Sequence, residues 1–244
     1  MLIHAHTPHT VPAEFKRLGI EYLPRPRIAY RPLLGFDPLT APYYIENREE
    51  MDLLASRYGD EIRAARIGPV FIGPTDNMGL GLFALRALEK GEFIGEYTGI
   101  VREAAAEPIP DFTEPPDRYD VPLPDLTVGA LSGLPSDRID SDSGLVLPAS
   151  VPGSGSDYAW NYPECFPDVE LELDGGSAGN EMRFVNHSFH PNLAVEHAVV
   201  DGRWAVFYIA DRDIAESEQL FVNYGDEYWD GRYRSLVLEW DPPS

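Results

Sequence analysis

Hydrophobic and polar positions change their rhythm several times along this chain. Met51, Leu54, Tyr58, Ile62 and Ala65 recur at helical spacing behind Asn47-Arg48-Glu49-Glu50, which has the form of a capping box with asparagine as the cap. That pattern predicts a helix over about 47–65, with Gly59 as its weak point. From Val70 the texture changes to short apolar runs between glycines. Phe71-Ile72 and residues 93–101 are strand candidates, separated by Gly79-Leu80-Gly81 and Lys90-Gly91. Phe93, Gly95, Tyr97 and Gly99 share one face of the second strand if it is regular. Later, Val169, Leu171 and Leu173 alternate with Glu170 and Glu172, and 195–200 and 204–209 read as a hairpin around Asp201-Gly202. Leu220-Phe221-Val222 is another short strand, and Tyr233, Leu236, Val237 and Trp240 return to helical spacing. No internal repeat is visible. The predicted class is mostly β with flanking helices.

Two stretches lack such periodicity. Residues 1–46 are rich in Pro, Tyr and Arg and read as an extended arm lying on a surface. Residues 103–157 hold nine prolines and eleven acidic residues against Arg118 and Arg138, the composition of a long loop or partly disordered insertion. The whole chain, 244 residues, is long enough for one large domain and carries a formal charge of −22. Such a surface repels nucleic-acid backbones and anionic membranes and favours a basic partner. The lone Cys165 excludes an internal disulfide framework and a Cys-rich zinc cluster. No secretory signal or membrane-length apolar run is present, so the expected compartment is cytoplasmic or nuclear.

Three patches carry candidate chemistry. The first is Gly79-Leu80-Gly81-Leu82-Phe83-Ala84, continued by Gly95-Glu96-Tyr97-Thr98-Gly99; Ala84, followed by Leu85, stands where a dinucleotide fingerprint has its third glycine. The second, Gly179-Asn180-Glu181-Met182-Arg183-Phe184-Val185-Asn186-His187-Ser188, runs on to Pro191-Asn192 and packs many polar side chains into a short irregular segment. Taken alone it is a polar turn in which Asn and Ser bond local backbone. The spacing of His187, His190 and His197 matches no helical zinc motif, and His4, His6 and His9 belong to the N-terminal stretch, so no metal is expected. The third patch runs from Glu218 through Asn223-Tyr224-Gly225 to Tyr228-Trp229.

In this order the three patches resemble the SET-domain protein lysine methyltransferases, with Tyr158-Ala159-Trp160 resembling the family's Tyr-x-Phe strand. The resemblance covers about 68–102 and 158–229. It implies a fold of several small antiparallel sheets with pseudoknot-like C-terminal threading. The implied domains are 1–67, an N-terminal arm and helix; 68–229, the SET domain with its Pro/acid-rich insertion at 103–157; and 230–244, a C-terminal helical tail. The implied reaction is methyl transfer from S-adenosylmethionine to a lysine of a protein substrate, a basic one such as a histone. By position, Leu80, Gly81, Asn186 and His187 should meet the cofactor, with Arg183 bracing them and Trp229 near its adenine. Tyr224 matches the catalytic tyrosine, and Tyr97 and Tyr158 match aromatics of the lysine channel. The family's cysteine after Asn-His-Ser is replaced by Phe189, so zinc is not implied. Val222 stands where many relatives carry a larger aromatic, which leaves room for more than one methyl group. The alternative is a catalytically silent SET-like module that binds a basic protein.

Overall fold

A computed structural model describes residues 11–76, 78–104 and 158–225, together with the backbone of 4–5. Its elements are short. In chain order they are β1 (His4–Ala5), α1 (Val11–Arg17), β2 (Glu21–Tyr22), β3 (Arg27–Ile28), 3₁₀ turns at Arg31–Gly35 and Pro38–Thr40, α2 (Pro42–Glu46) and α3 (Arg48–Arg63). Then come β4 (Val70–Pro74), β5 (Leu80–Ala84), β6 (Phe93–Glu96), β7 (Ile100–Glu103), β8 (Ala159–Asn161), β9 (Leu171–Asp174) and β10 (Ala178–Gly179). A 3₁₀ turn at Glu181–Phe184, β11 (Asn186–His187), β12 (Leu193–Val200), β13 (Arg203–Ala210) and β14 (Phe221–Val222) complete the described chain. Among the described residues the strands form small sheets in the orders β1-β4-β5, β10-β2, β11-β14, β12-β13-β6 and β3-β7-β9-β8. The mostly-β reading from the sequence therefore stands. Among the described residues no helix is long and apolar enough to cross a membrane.

The β12–β13 hairpin is the longest regular piece, paired in antiparallel register from Leu193↔Ala210 to Val200↔Arg203. Asp201 (φ 52°) and Gly202 (φ 72°) both occupy the left-handed region that a two-residue type I′ turn demands. Tyr58 and Ile62 of α3 pack with Phe93 and Phe207, so the helix covers this sheet.

Three predicted elements differ in form. The strand expected over 93–101 is broken at Tyr97-Thr98-Gly99, where the chain leaves one sheet for another. Tyr97 still bonds Val206 through its backbone, Thr98 Oγ1 donates to Leu23 O at 2.7 Å, and from Ile100 the chain pairs with β9 and β3. The face shared by Phe93, Gly95, Tyr97 and Gly99 therefore does not persist. In β9 the acidic alternates are buried rather than solvated, because Arg102 on β7 bonds Glu172 at 2.7 Å and Asp174 at 3.0 Å. Asn47 does not cap α3: it closes α2, and its Nδ2 donates back to Tyr43 O at 2.9 Å.

The N-terminal stretch is not a simple extended arm. Val11 and Phe15, one helical turn apart, give α1 an apolar face, and Phe15 is fully buried edge-on against Tyr22 and Phe184. β2 then pairs in parallel with β10, and β3 with β7. Proline-rich composition masked these short pairings, which need partners more than seventy residues away. The insertion predicted at 103–157 lies outside the described residues except for Glu103, the end of β7, and Ala104; the helical tail predicted at 230–244, like Tyr228 and Trp229, lies wholly outside them.

Candidate functional site

The second and third patches meet through backbone. β11 pairs in parallel with β14, Asn186 opposite Phe221 and His187 opposite Val222. Asn192 fastens the pair: its Nδ2 donates to Gln219 O at 2.8 Å and Glu218 Oε1 at 2.9 Å, and its Oδ1 accepts from Phe221 N at 2.8 Å. That burial of an asparagine is tolerated because both ends of its amide are bonded. The first patch closes against the same place, since Asn186 Nδ2 donates to Leu80 O at 3.2 Å.

These contacts leave a cradle around Gly81. A β-carbon there would stand 2.7 Å from both Gln219 Nε2 and Thr75 Cγ2, and 3.2 Å from Asn186 Nδ2. Gln219 Nε2 is itself buried with no hydrogen-bond partner among the described residues. A buried amide without an acceptor costs about 1–3 kcal/mol. A cradle in which any larger residue would displace its neighbours, beside a donor lacking an acceptor among the described residues, suits a small ligand with carboxylate or carbonyl oxygens.

Beside the cradle lies a narrow cavity of about 30 Å³, lined mainly by aromatic rings. Tyr97, Trp160 and Tyr208 pack mutually, with centroids 6.0–6.3 Å apart, and Trp160 meets Tyr224 edge-on at 5.9 Å. Tyr97 Oη donates to Tyr158 O, and a β-carbon on Gly175 would fall 2.5 Å from that hydroxyl, so glycine is required there. Burial, reinforced by Tyr97 and Tyr224, pushes the Tyr208 hydroxyl far above its ordinary pKa and keeps it protonated.

Tyr224 joins the two halves. Its hydroxyl donates to Val185 O at 2.7 Å, and its backbone N–H donates to His187 Nδ1 at 3.1 Å. Burial lowers the His187 pKa, which keeps the imidazole neutral and able to accept that bond.

The residues picked from the sequence thus fall into two adjoining groups. Leu80, Gly81 and Asn186 meet at the cradle, with His187 next to Asn186 in β11 and against Tyr224; Tyr97, Tyr158 and Tyr224 line the slot. Arg183 lines the slot too, with Nε donating to Gly175 O at 2.8 Å and Nη2 to Gly176 O at 3.1 Å. Trp229 lies outside the described residues. Sequence reasoning missed Tyr208 and Gln219. The first sits in an ordinary alternating strand, and the second became notable only when Gly81 was brought beside it. Val222 is fully buried under His187 and does not line the slot; Trp160 and Tyr208 supply the bulk on that wall. His187 meets Tyr224 and His197 meets Tyr43, and among the described residues no three His, Cys, Asp or Glu side chains gather to hold a metal. Burial raises the Cys165 thiol to about 11, which removes it as a nucleophile.

The chain belongs to the SET-domain family, whose model matches residues 79–225. The histone-lysine N-methyltransferase MEDEA of Arabidopsis thaliana is 30% identical over 165 residues, 66% of this chain and 18% of that protein. A histone-lysine N-methyltransferase of Schizosaccharomyces pombe, H3 lysine-4 specific, is 26% identical over 161 residues, 66% of this chain and 13% of its own. The chain therefore spans less than a fifth of the length of either relative. Among solved structures, a complex of ATXR5 with mono-methylated histone H3.1 has a TM-score of 0.52 at 17% identity, covering 89% of this chain and 86% of that one. At that identity the likeness is one of fold.

Proposed function

We propose that this chain is an S-adenosylmethionine-dependent protein-lysine N-methyltransferase. The observation that carries the reading is Tyr224, held at the junction between the Gly81 cradle and the aromatic slot. S-adenosylmethionine, when bound, would supply a sulfonium methyl to a lysine nitrogen that has already lost one proton to solvent, leaving a methylammonium on the substrate and a neutral thioether on the cofactor. The chain's own part is placement. Leu80, Gly81, Asn186 and His187 hold the amino-acid end of the cofactor, and Gln219 Nε2 gives it one more donor. Trp229 is assigned to the adenine side on its motif position alone. Tyr97, Tyr158 and Tyr224 border the path of the amine, and the phenol and carbonyl oxygens around it orient the amine and methyl by weak C–H···O contacts. The acceleration then comes chiefly from alignment at near-attack distance, which needs no carboxylate base.

The proposed substrate is a histone-like protein. The relatives are named for histone lysines, and a chain of charge −22 attracts a basic tail. A histone substrate implies work in a nucleus. With Trp160 and Tyr208 narrowing the slot, the small Val222 does not by itself open room for a second methyl, so the end product is expected to be monomethyl-lysine.

The test is incubation with labelled S-adenosylmethionine and mixed core histones beside Tyr224→Phe. Label on histone lysines, reduced about 100-fold or more in the variant, supports the reading, since an aligning hydroxyl of this kind contributes on that scale. Cofactor binding without label moves the substrate away from histones. No binding in calorimetry leaves a silent module that recognises a basic protein.

A further inference from the structure

Among the described residues, one charged side chain lines the aromatic slot, and its sign is the same as that of an incoming lysine. Tyr97, Tyr158, Trp160, Tyr208 and Tyr224 present rings, whereas Arg183 presents a guanidinium. That group is fixed by three contacts. It bonds the carbonyls of Gly175 and Gly176 and stacks 4.1 Å from the Tyr158 ring centroid, and the residue is 8% exposed.

Among the described residues no carboxylate cancels this charge. Both acceptors are neutral carbonyls, and among the described residues Arg183 makes no ion pair. On β9, Glu172 and Asp174 are paired with Arg102. Glu181, in the same turn, faces Tyr22, whose hydroxyl donates to it at 3.3 Å. Phe184 beside it is apolar, with the guanidinium 5.0 Å from its ring. Across the slot stand phenols: Tyr97 bonded to Tyr158 O, Tyr224 bonded to Val185 O, and Tyr208 kept protonated by burial. His187, behind Tyr224, is kept neutral by burial.

Aromatic faces attract cations. A slot of rings alone would therefore hold lysine as ammonium, the form with no lone pair to attack a methyl group. We propose that Arg183 is an electrostatic element of the transfer site, whose positive charge converts the entering lysine to its neutral amine and then repels the methylated ammonium. The proton removed passes to solvent before transfer. A like charge lining the same narrow slot disfavours the charged form and lowers the amine pKa from about 10.4 for free lysine.

This inference rests on the transferase reading. Its test is kcat against pH with saturating S-adenosylmethionine and core histones, for the wild type, Arg183→Gln and Arg183→Lys. The Gln variant keeps an amide donor for the glycine carbonyls and loses the charge; the Lys variant keeps the charge and loses the fork. In the wild type, kcat rises with pH to a plateau whose midpoint reports the bound amine. Arg183→Gln should move that midpoint upward by about one unit or more, with kcat about 10–100-fold low at pH 7.5 and within about threefold of wild type at pH 10. KM at pH 7.5 should fall in the same variant, because ammonium is no longer repelled. Arg183→Lys should retain the wild-type midpoint. Structural damage alone would lower kcat equally at every pH and leave the midpoint in place, and that result overturns the inference. Wild-type protein that transfers no methyl group to histones or to basic lysine peptides overturns the transferase reading and this inference with it.

Discussion

At the scale of single residues, the site is built by side chains that fix one another rather than by one reactive group. Gly81 is the clearest case. Alanine there would force its β-carbon to within 2.7 Å of Gln219 Nε2 and Thr75 Cγ2. Gly81→Ala is therefore expected to weaken S-adenosylhomocysteine binding by about tenfold or more in calorimetry, with a melting temperature only a few degrees lower, since overpacking against a buried side-chain end costs about 1–3 kcal/mol. Affinity retained within twofold would remove Gly81 from the cofactor site. Much of this was legible: Asn186, His187 and Tyr224 were singled out by motif, and they do converge. Gln219 and Tyr208 were not, because a lone Gln and an alternating Tyr have no sequence signature. Their roles arise from which segment of the chain is folded against them.

At the scale of elements, what was legible depended on whether the partner was near in sequence. The β12–β13 hairpin announces itself through alternation and an Asp-Gly turn, all local signals. β2 and β3 are two residues each, and their partners β10 and β7 are far along the chain, so no local pattern marks them. The break at Tyr97-Thr98-Gly99 was hidden for the same reason: Thr98 turns away to reach Leu23. A consequence is that the N-terminal segment belongs to the core. Phe15→Ala should destabilise by about 3–5 kcal/mol and lower the melting temperature by roughly 10 °C. A change below about 2 °C would show that α1 does not support the Phe184 turn. The α2–β12 contact carries a pH dependence. His197 lies beside Tyr43, and burial lowers its pKa to about 4. Between that value and the unfolded value of about 6.5 the unfolded chain binds more protons, so stability is complete above about pH 6.5 and declines as pH falls toward 4. His197→Gln should flatten the decline in melting temperature between pH 6.5 and 4.5; an unchanged slope would assign it to other groups.

At the scale of the whole molecule, charge and site divide the work. The cradle is made of neutral groups, so cofactor binding should respond little to salt. The net charge of −22 acts instead on the approach of a basic protein, through a field that salt screens over about 10 Å at 0.1 M. Raising salt from 50 to 300 mM should therefore lower kcat/KM on core histones by about tenfold or more while leaving the S-adenosylhomocysteine Kd within about twofold. Part of that field comes from the acid-rich segment 103–157, where deleting 108–152 removes eight acidic and two basic residues and leaves a net charge of −16. The deletion should depress kcat/KM several-fold at 50 mM salt, and the deleted and full-length chains should converge at 300 mM, because screening abolishes the same attraction that the deletion removes. Equal activity at low salt would assign the steering to the remaining acidic residues. A deficit that persists at high salt would mean that the segment contacts the substrate directly. Only convergence identifies it as a long-range attractor.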